Sequence, residues 1–394
     1  MRKIYLSKNE DRRVKMGHLW IFSNEIDNLK SPLKEFKPGE CVSVFGAQGS
    51  VLGSGYINPH TLLSLRLYSN MPDVAFDAAL IKERLQAALN LRQTFFSAPY
   101  YRLCFGEGDL LPGIIIDRFN DILVLQLTTQ GAWQVQEFVV AALLELLNPR
   151  GILLKNEQQS LSLEGLEPCT KTIYGDVPDT ILIFENNIPF HVPLFNGQKT
   201  GWFYDQRNNR KRLESFVKGK TVLDIFAYLG SFGIYAGVYG ATSVSFIESS
   251  KPACDYIQKN ITENKLDDRA TIICEDAFTA LKNLKDAGQQ FDVVLVDPPA
   301  FIKRKKDMDE GFLAYQRINE LALACLKDQG ILVSSSCSMH LSSEDLNRAL
   351  IKANKNRFQL NTLDLAFQAP DHPWHPMIPE TLYLKSYFML KREC

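Results

Sequence analysis

From about residue 210 onward the chain alternates short, nearly continuous apolar runs with amphipathic stretches, and this alternation constrains the fold more than any other feature. A short run without polar alternation is buried on both faces, as in a parallel sheet covered by helices. Strands are expected at 221–226, 243–248, 271–274, 293–296 and 330–336, with helices starting near Phe232, Pro252, Phe278, Gly311 and Ser343. The fold class that follows is α/β, with a doubly wound, Rossmann-like sheet in the C-terminal part.

The N-terminal part reads differently. Short apolar runs at 4–6, 19–22, 41–45, 51–57 and 62–68, separated by turn signals, suggest a small strand-rich barrel or sandwich. A helical pattern opens at Pro72 and continues through Phe76, Leu80, Leu85 and Leu91 to about Phe96. Residues 100–190 mix a hairpin (113–117 and 122–127), a helix (133–147) and further strands at 152–154, 180–185 and 188–192, a small α+β unit. A chain of 394 residues needs more than one core. The expected division is 1–72, 73–195 and 196–394.

With 44 Lys and Arg against 45 Asp and Glu, the chain has no bulk attraction for polyanions, but residues 1–70 hold ten basic side chains against six acidic ones. Arg12, Arg13 and Lys15 precede Trp20, a mixture of cations and aromatic surface suited to RNA, although a solvated basic loop with Trp20 in the core is equally consistent. Lys303, Arg304, Lys305 and Lys306 form a second basic run. The eight cysteines, Cys394 among them, form no CxxC pair, so neither zinc nor a disulfide framework is signalled and a reduced, cytoplasmic setting is expected. Cys254, Cys274 and Cys325 read as inert core residues. His372 and His375 share a loop without further ligand types, a weak metal signal, and no metal is expected. Neither a leader peptide nor an apolar run of about 18 residues is present, so no membrane partner is expected.

Chemistry gathers at the expected strand ends. The first strand closes in Asp224-Ile-Phe-Ala-Tyr-Leu-Gly230-Ser-Phe-Gly233, the second in Glu248, the third in Cys274-Glu-Asp276-Ala277-Phe278 and the fourth in Asp297-Pro298-Pro299-Ala-Phe301. Ligands of such sheets bind at these carboxyl ends. The loop has neither the GxGxxG spacing nor a Walker lysine, which disfavours a pyrophosphate ligand, and Glu248 is spaced to accept hydrogen bonds from ribose hydroxyls. Each acid taken singly is more often a helix cap. Four at successive strand ends resemble the class I S-adenosylmethionine-dependent methyltransferases. That resemblance implies cofactor contacts by Asp224, Phe226, Tyr228, Gly230, Glu248, Asp276 and Ala277, with Phe226 and Tyr228 standing where many members carry glycine.

Two further motifs bear on the reaction. The two prolines after Asp297 stiffen a turn suited to a planar base. Ser334-Ser-Ser-Cys337-Ser338, closing the fifth strand, puts a thiol at the same sheet edge. Carbon 5 of cytosine becomes a nucleophile once a thiolate has added to carbon 6, which is work for a cysteine. These motifs, with Gly197-Gln-Lys199-Thr200-Gly-Trp-Phe-Tyr-Asp205-Gln-Arg207 and Gly106-Glu-Gly-Asp109-Leu-Leu-Pro112-Gly113, resemble the RlmI family of large-subunit ribosomal RNA cytosine-5 methyltransferases over essentially the whole chain. The family reads GHKTG followed by Tyr where this chain has Gln198 and Trp202.

The family resemblance implies an N-terminal PUA domain, an α+β middle domain and a Rossmann-like catalytic domain. S-adenosyl-L-methionine is the implied cofactor and large-subunit ribosomal RNA the implied partner. Cys337 would be the nucleophile, and Asp297 would orient the base beside the cofactor. Lys199, Thr200, Asp205 and Arg207 join the implied cofactor set. Pro298, Pro299, Phe301, Lys303 and Arg304 join the substrate set with Arg12, Arg13 and Lys15. The alternatives are methylation of uracil C5 or a purine nitrogen, or an inactive RNA-binding protein; the oligomeric state, a homodimer included, stays open.

Overall fold

A computed structural model describes residues 1–157 and 161–393; Cys394 lies outside the described residues. The alternation beyond residue 210 forms a seven-stranded sheet of β1 (Thr221–Ile225), β2 (Ser243–Glu248), β3 (Ala270–Cys274), β4 (Phe291–Val296), β5 (Leu326–Ser336), β6 (Phe358–Phe367) and β7 (Lys385–Glu393). Their spatial order is 3-2-1-4-5-7-6. The first five run parallel, and β7 pairs antiparallel with both β5 and β6. The order reverses between β1 and β4, where an open α/β sheet offers a crevice.

Helices α1 (Ser231–Val238), α2 (Lys251–Glu263), α3 (Ala277–Asp286), α4 (Met308–Ala324) and α5 (Ser343–Asn354) follow the five parallel strands in turn. The last three bury their apolar stripes with Leu223, Ile225, Val294, Val296 and Leu332. On the other face α1 lies so close to β2 that a Cβ on Gly233 would meet the Phe246 ring at 2.2 Å.

Strands β6 and β7 were not expected, for physical reasons. As the sheet edge, β6 carries Gln359, Asn361, Thr362 and Asp364 and shows little apolar signal. In β7 the apolar run is flanked by Lys385 and Lys391, both buried with their ammonium groups on backbone carbonyls.

Two units emerge, and they are not consecutive in sequence. The first comprises Met1–Ile181, Pro193–Tyr204 and Pro370–Thr381; the second comprises Leu182–Val192, Asp205–Ala369 and Leu382–Cys394. Segment 182–192, read from sequence as part of the middle region, thus belongs with the sheet of the second unit, where Tyr235 Oη donates to the Glu185 carbonyl and Asn260 Oδ1 accepts from His191 N.

Within the first unit one five-stranded sheet is ordered Arg2–Tyr5, Glu40–Phe45, Val51–Ile57, Leu65–Ser69, Trp20–Ile21. A second is ordered Cys169–Gly175, Gly151–Asn156, Ile122–Leu127, Ile114–Phe119, Tyr100–Phe105. Residues 1–72 and the following region share a core: Tyr56 and Tyr68 pack with Leu103, Leu111 and Leu125, and the Tyr56 hydroxyl reaches the Pro112 carbonyl at 2.9 Å. The helix expected over 133–147 is interrupted at Val135, giving Gln130–Gln134 and Gln136–Leu147.

Candidate active site

Asp224 is next to last in β1 and only 1% exposed; its Oδ2 accepts the Gly233 N–H at 2.8 Å. Burial, opposed by that hydrogen bond but reinforced by the Asp297 and Glu248 carboxylates, pushes its pKa up to about 8. A carboxyl this basic reports an acidic, poorly hydrated crevice.

Its effect on stability has a definite sign. Below about pH 4 both folded and unfolded chains hold this proton, whereas between there and about pH 8 only the folded chain does. The stability tied to the raised pKa is therefore present at low pH and lost as pH rises through the folded value. Wild-type stability relative to Asp224→Asn should fall from about pH 5 to about pH 8 in urea titrations of the free protein. A pH-independent difference would contradict the raised pKa.

The loop after β1 turns through three left-handed residues, Phe226 (φ 63°), Tyr228 (φ 52°) and Gly230 (φ 79°). For an aromatic residue this conformation costs about 1–3 kcal/mol and persists only where its surroundings over-determine it. Here they do. The Phe226 ring packs edge-on to Phe301 at 6.1 Å, and Tyr228 N donates to Glu248 Oε2 at 2.9 Å. Glu248 Oε1 accepts from Ser250 N at 2.8 Å, which leaves further lone pairs on the carboxylate for a ligand. The backbone thus takes the glycine-type conformation with aromatic side chains in place of glycines.

Asp276 is exposed and caps α3, accepting from Thr279 N at 3.1 Å. Ala277, the first residue of that helix, is buried. Asp297 follows β4, and its Oδ1 accepts from Gln206 Nε2 at 2.9 Å. Each strand-end acid therefore has a structural partner within the fold.

The motif around Cys337 is held by a hydroxyl network. Tyr315 Oη lies 2.8 Å from Ser338 Oγ and accepts from Ser336 Oγ at 2.9 Å; Ile302 N donates to Ser338 Oγ at 3.2 Å. The segment after Asp297-Pro298-Pro299 is thereby tied to the segment carrying the thiol, and Cys337 Sγ, half-buried, lies 4.0 Å from the Pro298 carbonyl. Phe301 packs 4.9 Å from Tyr315 and 6.4 Å from Phe278, closing an aromatic wall beside the crevice. Lys385, in β7, donates from Nζ to the Ser338 carbonyl at 2.6 Å.

The other expected site residues have the following places and partners. Asp205 accepts the Tyr383 hydroxyl, and Arg207 lies buried beside Glu185, Nε to Oε2 3.4 Å. Lys199 and Thr200 belong to the segment Pro193–Tyr204 of the first unit, as do Arg12, Arg13 and Lys15 to its N-terminal sheet region. Arg13 pairs with Glu25 and Lys15 with Asp11, both at 2.5 Å, while Arg12 is exposed. Trp20 is half-buried and donates from Nε1 to Glu107 at 2.8 Å. In the second basic run Lys303, Lys305 and Lys306 are exposed and Arg304 pairs with Asp307 at 3.0 Å. His372 is buried against Asp371 at 2.9 Å, a structural pair. Cys254 and Cys325 are buried, but Cys274, expected in the core, is exposed where β3 ends at the sheet edge.

Sequence reasoning missed Gln206, Tyr315 and Lys385. Gln206 stands between two residues that were singled out, so its position was a usable signal; the other two are brought to the site by pairing and packing over more than twenty residues.

Comparison with known proteins agrees with this layout. Residues 4–70 match the model of a PUA-like domain, and residues 208–355 match that of Conserved hypothetical protein 95. The chain is 33% identical over 393 residues to the ribosomal RNA large subunit methyltransferase I of Pseudoalteromonas translucida, covering 97% of each chain. With the protein of that name from Tolumonas auensis the identity is 36% over 391 residues, again covering 97% of each. Among solved structures, a protein assigned as a methyltransferase and determined with SAH superimposes with a TM-score of 0.87 at 22% identity, over 99% of this chain and 100% of the other. A Streptococcus mutans protein assigned as a SAM-dependent methyltransferase gives 0.86 at 21% identity over the same shares.

Proposed function

Because the chain belongs to the ribosomal RNA large subunit methyltransferase I family, we propose that it methylates large-subunit ribosomal RNA at carbon 5 of a cytosine, using S-adenosylmethionine and Cys337 as nucleophile. The observation that carries this reading is the network joining the Asp297-Pro298-Pro299 segment to the Cys337 segment through Ser338, Tyr315 and Ile302. It holds a thiol and a base-binding carboxylate at neighbouring strand ends, as pyrimidine C5 chemistry needs.

The crevice suits the cofactor electrostatically. Burial chiefly, reinforced by the Asp297 and Glu248 carboxylates, raises the Asp224 pKa, and those two carboxylates favour a ligand bearing cationic groups over a nucleotide pyrophosphate. Asp224, Tyr228 and Gly230 would face the amino-acid end of the cofactor, Glu248 the ribose hydroxyls, and Asp276 with Ala277 the adenine. Bound there, S-adenosylmethionine supplies a methyl group made electrophilic by its sulfonium. Asp205 and Arg207, engaged with Tyr383 and Glu185, act as walls that seat Gln206 on Asp297.

Cys337 adds to carbon 6 from the face of the ring, so the target base must be out of any stack. Asp297 and the carbonyls of the proline turn hold its edge, and the exposed Lys303, Lys305 and Lys306 neutralise flanking phosphates. The PUA-like region supplies further RNA contact through Arg12.

The test is large-subunit RNA carrying 5-fluorocytosine. With no proton to lose from carbon 5, the base should stay bound to Cys337, seen as a denaturation-resistant adduct mapped to the Cys337 peptide. An adduct of equal yield with Cys337→Ala would refute the nucleophile. Nucleoside analysis of ribosomal RNA from cells lacking the protein should show loss of 5-methylcytosine; loss of a methylated uracil or purine instead would refute the target.

A further inference from the structure

Lys385 is 4% exposed, and its ammonium donates to the Ser338 carbonyl at 2.6 Å and to the Tyr383 carbonyl at 2.9 Å. Strand register pairs Lys385 with Ser336, so the side chain reaches past Cys337 to the carbonyl of the residue after it. Among the described residues no carboxylate forms an ion pair with it. A buried ammonium whose hydrogen bonds go to neutral carbonyls is costly, and such a charge calls for a nearby counter-charge.

The same strand offers a contrast. Lys391 is equally buried, but its ammonium closes carbonyls around the C-terminal end of α4, at Leu323 and Leu326, and lies 3.8 Å from the Phe358 ring centre. That lysine has a structural employment at a helix end. The carbonyl partners of Lys385 belong instead to the loop behind the thiol and to the residue two before it in its own chain.

We propose that Lys385 is a positioning residue for Cys337, its ammonium holding the cysteine as a thiolate ready to add to the base. The proposal rests on the reading of Cys337 as nucleophile. The thiol proton leaves to bulk water, since Lys385 keeps its own. A sulfur lone pair then forms the bond to carbon 6 as the carbon 5–carbon 6 π pair shifts to carbon 5. That pair bonds the methyl carbon of S-adenosylmethionine as the methyl–sulfonium bond breaks and leaves its electrons on the cofactor sulfur; water then takes the carbon 5 proton, the carbon–hydrogen pair re-forms the carbon 5–carbon 6 π bond, and the carbon 6–sulfur bond breaks with its pair leaving on Cys337 as the thiolate beside the ammonium.

Burial lowers the Lys385 pKa to about 8, against the opposing pull of Cys337 and Asp345, the two ionisable groups that act on it. In the sheet register it stands opposite Ser336 of β5 and Phe367 of β6. The support it gives is therefore present below about pH 8 and fades above.

The experiment needs neither RNA nor cofactor. Full-length protein is alkylated with iodoacetamide across pH, and modification of Cys337 is followed in its own peptide. In the unaltered protein the midpoint should fall below the ordinary thiol value of about 8.5. In Lys385→Met and Lys385→Gln it should rise by about one pH unit, tenfold less thiolate at neutral pH, and Lys385→Arg should restore most of the shift. A midpoint at or above the ordinary value in the unaltered protein, or one unmoved by removing the charge, overturns the proposal; the first of these arms requires no variant to fold.

Failure of the underlying reading is distinguishable. A shifted profile without a 5-fluorocytosine adduct sinks the nucleophile and leaves the Lys385–Cys337 coupling standing. An adduct with an unmoved profile sinks Lys385 alone.

Discussion

Replacing Cys337 by alanine should lower kcat by about 10⁴-fold or more, equivalent to about 5.5 kcal/mol of transition-state stabilisation, while leaving affinity for S-adenosylmethionine nearly unchanged. The asymmetry follows from where the side chain sits. The loop around it is fixed by Ser336, Ser338, Tyr315 and Ile302, none of which depends on the sulfur, and the thiol's own backbone contact is a weak one at 4.0 Å to Pro298. Removing the sulfur therefore deletes a bond formed in the reaction and little that positions the ground state. Serine should fare little better, because its hydroxyl is a poor nucleophile unless a base removes its proton. The measurement is incorporation of labelled methyl into large-subunit RNA from cells lacking the protein. A purine nitrogen attacks with its own lone pair and needs no adduct, so a variant that keeps more than about a tenth of wild-type kcat would speak for such a target.

What could be read in the sequence depended on how locally each feature is encoded. Asp224, Glu248, Asp276 and Asp297 close their strands within a few residues of an apolar run, so the run places the acid. The left-handed turns at Phe226 and Tyr228 were not legible, since nothing intrinsic to aromatic side chains favours a positive φ; the family resemblance marked both only as positions where glycine is common. Lys385 was illegible because its importance depends on β7 pairing with β5 some fifty residues earlier, and a lysine within an apolar stretch reads as a strand end.

In the basic N-terminal segment the pairing of charges is what the sequence leaves open. Local charge counting leaves an RNA surface and a solvated basic loop equally consistent there, and it does not show that Arg13 pairs with Glu25 and Lys15 with Asp11. Segment 182–192 was misplaced for a related reason. Proximity in sequence joins it to the middle region, whereas its buried polar contacts, Glu185 above all, lie with α1 and the residues just before β1.

Those contacts make Glu185→Ala the substitution with the largest expected loss of stability, about 3–5 kcal/mol. Glu185 is fully buried and receives Arg210 through two hydrogen bonds of 2.7 and 2.8 Å, Arg207 Nε at 3.4 Å and the Tyr235 hydroxyl at 2.9 Å. Burial works against the Arg210 charge, but the Glu185 carboxylate outweighs it and holds the guanidinium's pKa above its ordinary value. Alanine would remove the buried carboxylate that pairs two guanidinium groups held away from water, and the penalty is that of the charges left behind more than of the lost pair. Urea denaturation should show the loss as a lower midpoint. The double variant Glu185→Leu with Arg210→Met, which removes the principal ion pair together, should recover much of it; a double variant no more stable than Glu185→Ala would show that the charges are not the source of the penalty. The consequence reaches the active site, because Arg207 and Arg210 lie just after Gln206, whose amide holds Asp297. A Glu185→Ala protein still folded at low temperature should therefore lose kcat with RNA before it loses cofactor affinity, since Gln206 loses its seat while Asp224 and Glu248 keep theirs.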